Sequence, residues 1–126
     1  MASRRGIALI AALFGLLAVI LAAAGAHILA EDGAGAQKLW ATALQMHMFH
    51  TVALLGIAAL IQPDSPRLMP WSAILMMSGI LLFSGSLYLR AGGFVAVPGL
   101  VTPLGGLLLM AAWLALILTL ITKNRL

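Results

Sequence analysis

Residues 6–29 read GIALIAALFGLLAVILAAAGAHIL, an unbroken apolar stretch without Asp, Glu, Lys or Arg. A helix of this length crosses the ~30 Å hydrocarbon core of a bilayer, because each residue adds ~1.5 Å. Three further apolar stretches follow at about residues 39–61, 70–89 and 100–121, separated by polar or Gly- and Pro-rich breaks. The sequence therefore predicts an all-α protein, a bundle of four transmembrane helices in a single domain of residues 1–126.

Composition favours the same class of protein. Hydrophobic residues make up 63% of the chain and charged residues 8%, whereas a soluble domain carries about 25% charged residues. A chain of 126 residues cannot hide so much apolar surface from water. The chain has no cysteine, which excludes disulfides, thiolate metal sites and cysteine nucleophiles.

The positive charge predicts an orientation rather than a nucleic-acid partner. The net charge is +4, and the basic residues stand singly or in one pair at the ends of the apolar stretches. One side of the predicted bundle carries Arg4, Arg5, Arg67, Lys123 and Arg125, and the other carries Lys38 and Arg90. Because cytoplasmic loops are enriched in Lys and Arg, we expect both termini on the cytoplasmic side of the inner (plasma) membrane.

The first stretch also has features of a signal peptide. Arg4 and Arg5 precede it, and Ala24-Gly25-Ala26 is similar to a cleavage site. Its apolar run is longer than the usual ~7–15 residues of such a peptide. We therefore expect it to be retained as the first membrane span.

Small residues predict where the helices approach each other. Helices in lipid associate through close packing of small side chains, because lipid tails are apolar and the hydrophobic effect does not drive helices together. The candidate packing residues, spread over three of the four stretches, are Gly15, Gly25, Gly79, Gly85, Ser86 and Gly105. They predict a tight bundle without a wide pore.

Polar residues within the apolar stretches mark the candidate site. They concentrate toward the predicted outer side of the membrane and include His27, His47, His50, Tyr88 and Arg90. Polar side chains in the membrane usually face the interior of a bundle. Because His47 and His50 are three residues apart on a helix, they could join His27 in a three-imidazole site for zinc or copper. The alternative interpretation is that these groups form hydrogen bonds that fix how the helices pack.

Four short segments carry a family resemblance. They are Gly25-Ala26-His27, Gln45-Met46-His47-Met48-Phe49-His50, Ser84-Gly85-Ser86-Leu87-Tyr88 and Thr102-Pro103-Leu104-Gly105-Gly106. In this order they resemble the YgdD-like small membrane proteins, a family named for a domain of unknown function, DUF423. The resemblance implies a multi-helix integral membrane protein, and it brings no substrate, cofactor or catalytic residue.

Two functions remain open at this point. The first is a non-enzymatic structural, accessory or lipid-interacting bundle, whose partners are membrane lipids and either further copies of the chain or a larger membrane complex. The second is a binding site or small transporter for a metal ion, haem or a quinone-like ligand, built on the histidines. An enzyme is not expected, since the three carboxylates, Glu31, Asp32 and Asp64, all lie in predicted loops.

Overall fold

A computed structural model of the chain describes residues 3–29, 33–94 and 96–123, and the regular structure in these ranges is entirely α-helical. Helix α1 spans Arg4–Ile28, α2 spans Ala34–Leu60, α3 spans Leu68–Ala91 and α4 spans Val101–Lys123. Each helix is long and apolar enough to cross a membrane. The predicted all-α fold with four transmembrane helices is confirmed.

The helices extend beyond the apolar stretches identified in the sequence. Helix α2 begins at Ala34, although its apolar run begins near residue 39, and α3 exceeds its predicted span at both ends. The additional turns contain residues such as Gln37 and Lys38, which suit the polar headgroup region as well as a helix. Hydropathy locates the part of a helix within hydrocarbon, so it underestimates helices that continue past the ~30 Å core.

Local polar contacts define several helix ends. The Ser3 hydroxyl caps α1 by accepting a hydrogen bond from the Gly6 N–H at 3.0 Å, as favoured N-cap residues do. In the loop between α2 and α3, the Ser65 hydroxyl accepts from the Gln62 N–H at 2.8 Å. After α3, Gly93 adopts a φ of +92°, a conformation open to glycine at little cost. Side-chain capping thus supports the start of α1, whereas α2 and α3 begin without a side-chain cap.

The main backbone contacts join consecutive helices: α1 packs on α2, α2 on α3, and α3 on α4. Helix α3 is the most buried and α1 the least. The core includes Ile7, Leu54, Ile57, Met69 and Met76, all nearly inaccessible. Large apolar side chains are exposed on all four helices, as expected of surfaces that contact acyl chains. If all four described helices span the membrane, the start of α1 and the end of α4 lie on the same side, and the charge count remains the basis for predicting which side.

Three glycines stand at close helix contacts. A Cβ atom at Gly105 would overlap the backbone of Phe83 on α3, and a Cβ at Gly79 would lie 2.6 Å from Leu109 Cδ2 on α4. A Cβ at Gly25 would overlap the indole ring of Trp40 on α2. Each of these contacts requires the absence of a side chain.

The other two candidate packing glycines differ. A Cβ at Gly15 would make an ordinary contact of 3.7 Å with the Thr51 methyl group, and a Cβ at Gly85 would meet nothing within 4 Å. Gly85 therefore does not stand at a close helix contact, because it faces a gap between α1 and α3. The sequence pattern identifies small residues but not which side of α3 has a neighbour.

Candidate functional site

His50 is hydrogen-bonded through both ring nitrogens. The indole N–H of Trp113 on α4 donates to His50 Nε2 at 3.0 Å, and His50 Nδ1 lies 2.8 Å from the Met46 carbonyl oxygen. An indole N–H can only donate and a carbonyl can only accept. Nε2 is therefore the unprotonated nitrogen, and Nδ1 carries the hydrogen. The surroundings thus define His50 as a neutral imidazole of one tautomer, with only 3% of the residue exposed.

His47 lies in a different cluster, formed by aromatic side chains of three helices. Its Nδ1 is 2.9 Å from the hydroxyl oxygen of Tyr88 on α3, and Phe14 of α1 meets its ring edge-on. Tyr88 in turn contacts the Trp40 ring, with 4.8 Å between the ring centroids. Trp40 donates its indole N–H to the Leu21 carbonyl on α1 at 3.0 Å. This chain of contacts ties α1, α2 and α3 together.

Serine and threonine hydroxyls make further bonds between the helices. Ser84 on α3 donates to the Ala43 carbonyl on α2 at 2.8 Å. Ser86 donates to the Phe83 carbonyl within its own helix at 2.9 Å, so the 2.5 Å contact with Thr102 is a bond in which Thr102 donates to Ser86. The candidate packing residue Ser86 thus bonds α3 to α4 as well as being small.

These interhelical bonds occupy one end and the middle of the bundle. They lie between the loops joining α1 to α2 and α3 to α4 and the midpoints of the helices. Toward the opposite end, the buried hydroxyls of Ser72 and Thr119 donate to carbonyls of their own helices. The interhelical hydrogen bonds are therefore concentrated toward one end of the bundle, as the distribution of polar residues in the sequence predicted. His50 and Trp113 differ from that prediction, because they lie near the middle of their helices rather than in the outer half of the membrane.

The three histidines do not converge. His47 and His50 are three residues apart, which separates their directions by about 60° around a helix, so His47 faces Tyr88 and Phe14 while His50 faces Trp113. His27 is exposed near the end of α1. Within the described ranges, no three His, Asp or Glu side chains are grouped closely enough to hold a metal ion. The residues present do not fit the three-imidazole site that the sequence suggested.

Arg90 also has a local role. One nitrogen of its guanidinium, Nη2, donates to the Pro98 carbonyl at 3.2 Å and approaches the Val97 carbonyl at 3.5 Å. Both carbonyls belong to the loop between α3 and α4. Arg90 therefore holds this loop against the end of α3, and it does not join the cluster around His47.

Trp113 is the hydrogen-bond partner of His50 that the sequence did not predict. It lies in the middle of α4, whereas tryptophan in membrane proteins is enriched at the interfaces. A tryptophan at this depth needs a hydrogen-bond acceptor, and His50 is the residue that provides it. The position of Trp113 in its apolar stretch was the observation that could have revealed the pair.

Comparison with known proteins identifies the family of this bundle. The model of the family described as "Protein of unknown function (DUF423)" matches residues 21–106. The chain belongs to the DUF423 family. The matched DUF423 region contains His47, Tyr88 and the Ser86–Thr102 contact; it begins after Phe14 and ends before Trp113.

Relatives of this DUF423 chain are named as membrane proteins. The chain is 35% identical over 116 residues to the UPF0382 inner membrane protein YgdD of Escherichia coli strain K12, covering 91% of this chain and 88% of the relative. It is 36% identical to the UPF0382 membrane protein YwdK of Bacillus subtilis strain 168, over 86% of this chain and 90% of the relative. No solved structure matches the chain. With four spanning helices, this DUF423 protein is a multi-pass protein of the inner (plasma) membrane.

We expect Gly25→Ala to destabilise this DUF423 bundle, because the new methyl group occupies the position of the Trp40 indole. Trp40 must move, which breaks its bond to the Leu21 carbonyl. Overpacking of this kind costs about 1–3 kcal/mol. Reversible unfolding in mixed micelles, followed by tryptophan fluorescence, measures the loss.

Gly15→Ala is the matched control for this prediction, since it makes the same change in the same helix with an ordinary contact to Thr51. Equal stability losses in the Gly25 and Gly15 variants would contradict the proposed contact between Gly25 and Trp40.

Proposed function

We propose that this chain is a non-enzymatic, lipid-interacting membrane protein whose intramembrane polar residues hold its helices in one arrangement. The observation that carries the proposal is the hydrogen bonding of His50, whose two ring nitrogens are both engaged by the protein itself. A histidine acting as a general base or a metal ligand needs a free lone pair on one nitrogen. Supporting observations are the bonds from Ser84 to Ala43 and from Thr102 to Ser86.

The physical basis of such a role is the poor solvation of polar groups in lipid. An unsatisfied hydrogen-bonding group in hydrocarbon costs several kcal/mol, so each polar side chain favours the packing that provides its partner. Bonds between transmembrane helices contribute about 0.6–2 kcal/mol each. A few of them are enough to select one arrangement of helices whose remaining contacts are apolar. The outer surface of the bundle then presents apolar side chains to lipids and to membrane partners.

Metal analysis separates this proposal from a metal-binding function. We expect protein purified without a polyhistidine tag, and incubated with zinc or copper before gel filtration, to retain less than stoichiometric metal. We expect His50→Ala to lower its thermal stability, because the Trp113 N–H loses its acceptor. His27→Ala is the matched control, since His27 is exposed and its loss should leave stability unchanged. Stoichiometric metal that disappears in a His47→Ala, His50→Ala double variant would overturn the proposal.

A further inference from the structure

Two open cavities adjoin at Arg4, where the start of α1 lies beside the end of α2. One has a volume of about 190 Å³ and is lined by Arg4, Ala8, Leu55, Ala58 and Ala59. The other has a volume of about 380 Å³ and is lined by Arg4, Ile61, Gln62 and Pro63. Because Arg4 belongs to both walls, and Ile61 follows Ala59 by two residues, the cavities form one depression, the Arg4 groove.

Small side chains produce the apolar part of the Arg4 groove. Ala8 of α1 and Ala58 and Ala59 of α2 have no atoms beyond Cβ, so the two helices leave space between them here. Ala58 is 1% exposed, whereas Leu55 is 51% exposed, so the groove is open toward the acyl chains. From Ile61 to Leu55 it follows α2 for about 9 Å. This length accommodates the first part of an acyl chain.

The groove changes from polar to apolar along the direction that crosses the membrane. The apolar stretch of α1 begins at Gly6, and that of α2 ends near residue 61. Arg4 and Gln62 therefore lie at the edge of the hydrocarbon, and Leu55 lies within it. A phospholipid in the same leaflet has its phosphate at the first level and its acyl chains at the second.

The charge at this end of the bundle favours an anionic lipid. Arg4 is exposed and forms no ion pair with the part of the chain that the structure describes. The adjoining segments carry the further cations Arg5 and Arg67 and the carboxylate of Asp64. A guanidinium binds phosphate through two parallel hydrogen bonds, and basic residues at a membrane surface attract anionic headgroups. A zwitterionic headgroup would add an ammonium group where cations already outnumber carboxylates.

We propose that the Arg4 groove binds one anionic phospholipid, with its phosphate at the Arg4 guanidinium and one acyl chain between α1 and α2. This inference rests on the proposed lipid-interacting function and names the class of lipid. The residues that form the groove are separate from His50 and Trp113, which carry the proposed function, so the two can be tested independently.

Native mass spectrometry of the full chain, released from detergent micelles after titration with dioleoyl phosphatidylglycerol, measures the affinity for the lipid. We expect one lipid to bind more tightly than the rest. Dioleoyl phosphatidylcholine has the same acyl chains and a zwitterionic headgroup, and we expect it to bind more weakly. Equal affinities for the two lipids would overturn the assignment of an anionic ligand. Displacement of the lipid by an equal concentration of glycerol phosphate would show a site for the free anion, and it would overturn the role of the acyl chain.

Arg4→Gln tests the contact with the phosphate. We expect the affinity for phosphatidylglycerol to fall about five- to tenfold, the usual contribution of a basic residue near anionic lipid. Arg67→Gln is the matched control, because it removes the same charge at the same end of the bundle from an exposed residue outside the wall of the groove. Equal affinities in the two variants would overturn the assignment of Arg4.

Ala59→Leu tests the acyl-chain part of the groove. Ala59 is exposed and lines the groove, so the larger side chain takes the place of the acyl chain without entering the core. We expect the affinity to fall severalfold. Ala23→Leu is the matched control, since Ala23 is an exposed alanine toward the other end of α1.

Equal lipid affinities in the Ala59 and Ala23 variants would overturn the position of the acyl chain. Such a result would leave the proposed structural role intact, because that role is tested by metal content and by the stability of His50 variants.

Discussion

Gly105→Ala is expected to reduce the free energy of unfolding by about 3 kcal/mol, the upper end of the usual range for overpacking. A Cβ atom at Gly105 would overlap the backbone nitrogen of Phe83, and backbone cannot move aside as a flexible side chain can. Helices α3 and α4 must therefore separate. Separation also lengthens the bond from Thr102 to Ser86, one turn away. Steric-trap or mixed-micelle unfolding measures the change.

Gly106→Ala provides the matched control for Gly105→Ala. A Cβ at Gly106 would lie 3.6 Å from the Phe83 ring, an ordinary contact. The two variants have the same composition and change adjacent residues of one helix, so propensity effects nearly cancel. Equal stability of the two variants would show that α3 and α4 do not approach each other at Gly105.

Replacing Trp113 by Phe is expected to lower stability by about 2 kcal/mol. The change leaves the buried Nε2 of His50 without its donor, and an unsatisfied buried group costs about 1–3 kcal/mol. His50→Phe should act similarly, since it leaves the indole N–H without an acceptor. Phenylalanine keeps most of the aromatic volume in both cases, which limits the contribution of lost packing.

The double variant His50→Phe, Trp113→Phe shows whether the two stability losses come from one shared hydrogen bond or are independent. If the bond exists, the losses overlap, and the coupling energy between His50 and Trp113 is about 1 kcal/mol, within the range up to about 1.7 known for transmembrane helices. Thr122→Val with Trp113→Phe is a reference pair, because Thr122 donates to the Leu118 carbonyl of its own helix. Additive losses for His50 and Trp113, within about 0.3 kcal/mol, would contradict the bond.

The sequence was sufficient to predict the membrane-spanning fold because that prediction depends on composition along the chain. The number of spans follows from apolar runs long enough to cross hydrocarbon. A general preference for small residues at helix contacts also selected Gly25, Gly79 and Gly105, which stand at close contacts, together with Gly15 and Gly85, which do not. The number of spans and the preference for small residues both result from the lipid solvent, which has the same effect on any chain with these patterns.

The partners of the polar residues could not be predicted, because they depend on how each helix is rotated. His47 and His50 differ in direction by about 60°, and the sequence does not state that one neighbour is Tyr88 and the other Trp113. The same uncertainty affects Gly85, which faces a cavity rather than a helix. Side-chain spacing specifies a face of one helix, and tertiary packing decides what lies against that face.

The two hydrogen bonds of His50 are examined most directly by nitrogen-15 NMR of its imidazole. The measurement uses the full chain in nanodiscs at neutral pH. We predict a protonated Nδ1 and an unprotonated Nε2, with the Nε2 resonance changing when Trp113 is replaced by Phe. Three results would contradict the hydrogen bond between His50 and Trp113 of α4. They are a protonated Nε2, a resonance typical of a metal-bound imidazole, and an Nε2 resonance that does not change in the Trp113→Phe variant.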